Sequence, residues 1–194
     1  QAHASDTTSN PLSAYSRLWN AKKFQDCNTA ATAAYLTEEE KNVIWVLNQI
    51  KRDPKLFLQT VLLNPKSSNQ LPNEVKETYY RSLIDDFRKM KPTNVLLKPD
   101  SVAFESARCH AIQAGVRGHV GHNRFDSGCP FSCRAECCDY GNAASLDIIL
   151  HLLIDDGVPS LGHRKICLST EYTFLGVSIQ PHITYKQNTV LDFR

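Results

Sequence analysis

Between Ser145 and Ile154 the chain is apolar on nearly every side, and a helix of that kind has a place only in the middle of a fold. Whatever precedes and follows must wrap around it. Three short polar motifs flank it: Gly121-His122 and Ala135-Glu136 before, Gly162-His163-Arg164 after. Two histidines and a carboxylate are side chains that bind a divalent transition metal or move protons near neutral pH. They lie far apart in sequence, so only the fold can bring them into one cleft.

The 194 residues suit one compact domain plus an irregular N-terminal extension, and a 42% hydrophobic fraction is enough for a real core. A net charge of +2 is too small to argue for nucleic acid or an anionic membrane as partner. Lys and Arg are scattered along helices and read as solvated faces. No apolar run approaches the ~20 residues that span a bilayer.

Five of the seven cysteines fall between Cys109 and Cys138. The run Cys129-x3-Cys133-x3-Cys137-Cys138 lacks the paired two-residue spacings of zinc ribbons. It reads instead as disulfides made in an oxidising compartment, hence a secreted or extracellular protein. The odd count leaves one thiol free or intermolecular, and adjacent Cys137 and Cys138 serve different partners, since bridging neighbours strains the backbone. Gln1-Ala2-His3-Ala4-Ser5 has no signal-peptide character, as expected of a secreted chain already trimmed.

Residues 1–35, rich in Ser, Thr, Asn and Ala, read as an arm packed loosely on a domain that occupies 36–194. Thr37-Glu38-Glu39-Glu40 forms a capping box, Val43, Ile44, Leu47 and Ile50 repeat at helical spacing, and Asp53-Pro54 stops the helix. Leu56 to Leu63 adds a helical turn ending at Asn64-Pro65, and Glu74 to Met90 is amphipathic. A small-residue helix runs from Ser101 to Val116, and Asp155-Asp156-Gly157-Val158-Pro159 ends the apolar one. Phe174 to Ile179 and Thr184 to Phe193 read as strands joined near Gln180-Pro181-His182, with further strands expected at Val95-Leu96-Leu97 or near Phe125 and Phe131. The result is an α+β architecture in layers.

Among the histidines, His122 sits with polar neighbours at a water-exposed rim, and His119 competes with it for that position. His110 reads as a core or half-buried packer that hydrogen-bonds locally and His151, among leucines, as structural; His163 could also cap the helix that follows it. His3 and His182 have no context. No Gly-rich phosphate loop and no Gly-x-Ser-x-Gly nucleophile turn is present.

Taken together, Ala107-Arg108-Cys109-His110-Ala111, Gly121-His122, Ala135-Glu136, Gly162-His163-Arg164, Leu175-Gly176-Val177-Ser178 and Val190-Leu191-Asp192-Phe193 resemble a CAP domain. That is the superfamily of cysteine-rich secretory proteins, antigen 5 and plant pathogenesis-related proteins. The likeness spans Leu36 to Phe193, and Leu153 to Arg164 looks most like bacterial-type members. It implies an α-β-α sandwich, a mostly antiparallel sheet covered by helices on both sides. It also implies a cleft in which His122 and His163 match two metal-holding histidines and Glu136 matches the first acid. The second acid, usually Glu, falls on Asp155, with Asp156 the alternative. Cys137 stands where Asn commonly follows the first acid.

The implied function is a secreted module whose cleft binds zinc and a small or lipid ligand, with a lipid, a sterol or a cell-surface protein as partner. An alternative is a metal-dependent or acid–base hydrolase with Glu136 as general base. A third reading is a disulfide-stapled scaffold with a vestigial cleft.

Overall fold

The computed structural model describes residues 9–64 and 77–194. In chain order its α-helices and strands are α1 (Lys22–Gln25), α2 (Glu38–Arg52), α3 (Pro54–Phe57), α4 (Glu77–Lys89), β1 (Lys98–Pro99), α5 (Ser101–Arg117), β2 (Ala135–Tyr140), α6 (Ser145–Ile154), α7 (Gly162–Leu168), β3 (Phe174–His182) and β4 (Lys186–Phe193), with a 3-10 turn at Arg17–Asn20 and a π-helical turn at Leu58–Leu62.

The acidic triplet at the start of α2 does more than begin a helix. Thr37 Oγ1 accepts the Glu40 N–H and Glu40 Oε2 accepts the Thr37 N–H, which is the reciprocal cap the sequence predicts. The other Glu40 oxygen accepts the Ile179 N–H at 2.9 Å, fixing α2 to β3. Glu39 Oε2 accepts the Ser145 N–H at 2.8 Å and so caps α6, which has no side-chain cap of its own. One run of sequence thereby sets the relative position of two helices and a strand.

The four strands order as β1-β3-β4-β2; β1 runs parallel to β3, and the β3–β4 and β4–β2 pairs are antiparallel. Residue alternation divides the sheet into two faces. Gly176, Val190, Asp192, Glu136 and Cys138 turn towards α5, while Leu175, Val177, Leu191, Phe193 and Cys137 join the main core with α2 and α6. Helix α5 lies directly on the strands: a Cβ on Gly176 would come within 2.1 Å of the Ala103 and Phe104 backbone. The protein is therefore α+β, with helices on both faces of a mixed sheet.

Several expectations need correction. The described part of the N-terminal extension is not loose: Leu12, Trp19, Phe24 and Ala30 are core residues, and the Trp19 indole donates to Thr60. Buried Asn48 bonds the Cys27 and Leu97 carbonyls and accepts the Leu97 N–H, clamping that extension to the domain. Composition hid this because two aromatic anchors outweigh many small polar residues. The hairpin turns at Ile183–Tyr185, directly after Gln180-Pro181-His182, which extends β3 beyond the expected Ile179. There His182 Nδ1 accepts the Thr184 and Tyr185 N–H groups and closes the turn.

Neither Phe125 nor Phe131 lies in a strand; the unforeseen strand is Ala135–Tyr140, with β1 just beyond Val95-Leu96-Leu97. Of the predicted Glu74–Met90 helix, the start lies outside the described residues, as does Pro65. Not all basic residues are solvated, since Lys51 and Arg164 are buried. No helix of the described residues is long and apolar enough to cross a membrane.

Candidate metal-binding site

The predicted site residues converge on the edge strand β2. Glu136 projects from β2 on the α5 side, and His122 reaches it from the loop after α5. The His122 Nδ1–Glu136 Oε1 distance is 2.8 Å. From the far side, His163 at the start of α7 sets its Nδ1 2.7 Å from Asp155 Oδ1. The two imidazoles face one another with ring centroids 6.5 Å apart. Of the two acids the sequence left open, Asp155 and Asp156, it is Asp155 that lies within hydrogen-bond reach of the His163 ring.

Local structure explains each placement. Asp155 ends α6 in the left-handed region (φ 57°), and its Oδ2 accepts the backbone N–H groups of His163 and Arg164. The same carboxylate stops one helix, starts the next and orients the His163 ring. The His122 loop is held by the Cys109–Cys129 disulfide, by the Gly121 N–H on the Tyr140 hydroxyl (2.8 Å), and by buried His110 donating from Nε2 to Gly121 O (2.9 Å). Because a carbonyl only accepts, His110 carries its proton on Nε2. Its Nδ1 is buried without a partner, and burial lowers its pKa.

The same logic sets the tautomers of the outer pair. A carboxylate accepts, so His122 and His163 both donate from Nδ1, and in their neutral forms the lone pair sits on Nε2. The hydrogen bond to Glu136 raises the His122 pKa against the opposing effect of burial. Glu136 is only 6% exposed against 57% for His122, so the carboxylate is fixed and the ring is the movable partner.

Beneath this lies a network the sequence reading missed. Pairing sets Glu136 opposite Asp192 on β4, two carboxylates on one face. Arg124 binds both, at 2.5 Å from Glu136 Oε2 and 3.4 Å from Asp192 Oδ2, and Ser106 donates to Asp192 at 2.5 Å. Burial, with Glu136 adding to it, pushes Asp192 up to about 7, whereas Glu136 is lowered. For Glu136, burial acts upward but is outweighed by His122, His110, Asp192 and Arg124. The signal was available: Asp192 stands between Leu191 and Phe193 in an apolar strand, where a charge needs a partner.

Glu136 Oε1 also lies 3.8 Å from both His110 Nε2 and Cys138 Sγ; these three side chains are close enough to hold a metal ion once His110 gives up the Nε2 proton it donates to Gly121. Cys133, Glu136 and Asp192 form a second such group, with the Arg124 guanidinium in contact with both acids. Of the remaining histidines, His119 packs edge-on against Phe125, apart from the His122–His163 pair. His182 serves its turn and donates from Nε2 to His119 O. His151 is half-exposed and donates from Nδ1 to buried Asp139 at 2.5 Å.

No family model matches the chain, and no curated protein matches it. Among solved structures, it is similar to an outer surface protein from Borrelia burgdorferi at 17% identity and a TM-score of 0.41, over 62% of this chain and 92% of that one. At that extent of likeness the site rests on its own chemistry.

Proposed function

We propose that this chain is a CAP-type module, an α-β-α sandwich, that holds a zinc ion between His122 and His163 and acts in extracellular binding. One observation carries the reading: two neighbouring imidazoles, each with Nδ1 committed to a buried carboxylate, leave Nε2 as the coordinating nitrogen of each ring. That carboxylate–histidine arrangement is the one that fixes tautomer and ring orientation in zinc sites. Two imidazole nitrogens suit zinc, and two protein ligands leave positions open for an exogenous group.

Glu136 and Asp155 act here one bond further out, as orienting groups. Glu136 is held by both Arg124 and His122, which suits positioning better than general-base work. When bound, zinc supplies a positive centre for a carboxylate, phosphate or carbonyl oxygen. Exposed Val120, Phe125 and Phe131, on the loop that carries His122, support an apolar or lipid portion of the ligand beside it. The Cys109–Cys129 disulfide is compatible with an extracellular location.

Calorimetric zinc titration at about pH 7.5 tests the reading. We expect saturable one-to-one binding in the wild type and its loss in the His122→Ala/His163→Ala double variant. Binding that survives there but is lost in His110→Ala/Cys138→Ser would move the ion to the inner donor set. No binding by the wild type would remove the metal altogether.

A further inference from the structure

Outside the Cys109–Cys129 bond, five described cysteines are thiols, and two of them are neighbours. Cys137 on β2 and Cys167 on α7 interact side chain to side chain. Both are 0% exposed, and both belong to the main core. Cys137 Sγ also lies 3.9 Å from the carbonyl of His163, one helical turn before Cys167, so strand and helix meet closely here.

The other thiols are directed elsewhere. Cys138, next in sequence, points to the opposite face of β2 and lies 3.7 Å from His122 Nδ1. Cys133 shares that opposite face with Glu136 and Asp192. Cys27 donates to Lys23 O at 3.3 Å beside α1. Within the described residues, Cys167 therefore has one cysteine to pair with.

We propose that Cys137 and Cys167 are joined by a second disulfide in the mature protein, formed under the same oxidising conditions as Cys109–Cys129. The step is thiol–disulfide exchange with a low-molecular-weight disulfide such as glutathione disulfide. One cysteine thiolate attacks the oxidant's sulfur, releasing one glutathione thiolate and leaving a mixed disulfide. The second cysteine thiolate then displaces the other glutathione. One S–S bond is made in the protein, one is broken in the oxidant, and the two protons leave the cysteines for the glutathione thiols.

Burial keeps the Cys137 thiol protonated in the folded state, so the exchange belongs to folding, before α7 closes on β2. The consequence reaches the site. Cys137 adjoins Glu136, and Cys167 shares α7 with His163, so the bond ties the strand that carries the His122-holding carboxylate to the helix that carries His163. The inference does not depend on the metal.

The test is a disulfide map of the full chain. The protein is folded in a glutathione redox buffer under which the Cys109–Cys129 linkage forms, denatured in excess iodoacetamide, and digested with trypsin without reduction. Fragmentation mass spectrometry then assigns each linkage. We expect peptide 135–164 cross-linked to peptide 166–186 through Cys137 and Cys167, with Cys138 not joined to Cys167. The cross-link should persist in Cys138→Ser and vanish in Cys137→Ser. Cys167 recovered with the alkyl label, or linked to any cysteine other than Cys137, would overturn the proposal. Because the wild-type map is decisive alone, a variant that fails to fold does not weaken it.

Discussion

At the scale of single residues, the site is governed by where protons sit. Asp192, raised to about 7 by burial and by Glu136 opposite, keeps a proton in the folded state that the unfolded chain releases near its ordinary value. The native state then binds more protons than the unfolded one between about pH 4 and about pH 7, so this group makes stability fall as pH rises through that window. Asp192→Asn, a neutral near-isostere, should flatten that fall by on the order of 2 kcal/mol. Urea midpoints at about pH 4.5 and about pH 7.5 check it, and an unaltered difference would show that Asp192 ionises normally.

Arg164 makes a second residue-scale case. All five guanidinium donors are used: on the Leu153, Ile154 and Tyr79 carbonyls, on Ser82 Oγ, and on Asp86 at 2.9 Å. It stitches α4 to the end of α6 and carries α7. Lysine cannot reproduce that fork, so Arg164→Lys should destabilise by roughly 2–4 kcal/mol, read from chemical denaturation.

At the scale of elements, contact between α5 and the sheet decides the depth of the site. Gly176 lets β3 touch the α5 backbone, and in the same layer Gly115 faces the Pro181 carbonyl, which an added Cβ would meet at 2.0 Å. Gly176→Ala must push α5 off the strands. It should cost about 3 kcal/mol or more, a Tm loss on the order of 10 °C in a thermal melt. A melt within a degree or two of the wild type would mean that α5 shifts freely. The helices themselves were legible because their signals are local: the Thr37 capping box, the Asp53-Pro54 stop and the largely apolar Ser145–Ile154 segment each lie within one to three turns. Strand β2 was not legible. Ala-Glu-Cys-Cys-Asp-Tyr has little of the composition of a strand, and it is held in place by its ladder with β4.

At the scale of the molecule, the described part of the N-terminal extension, from residue 9 on, belongs to the core. Removing residues 1–35 would strip Leu12, Trp19, Phe24 and Ala30 from the main cluster and leave Asn48 without the Cys27 carbonyl. We expect the shortened chain to lose cooperative thermal unfolding and to bind hydrophobic dyes, since the lost aromatic and aliphatic burial is comparable to a whole domain's net stability. A shortened chain that melts as sharply as the full one would restore the picture of a separate arm.

The sequence alone determined which residues could carry metal chemistry and where most helices begin and end. His122, Glu136 and His163 stand out by residue type and by their turn-forming neighbours, and helix caps are written within a few positions. Tertiary structure alone decided how those residues are used. Only β-ladder register sets Glu136 beside Asp192, and only the close return from α6 into α7 gives His163 its carboxylate. Burial then turns Arg164, Asn48 and Glu40 from ordinary polar residues into joints between elements. The physical reason is range. Hydrogen bonds within a helical turn depend on neighbours in the chain, whereas pairing across a sheet and desolvation depend on which distant surfaces the whole core brings together.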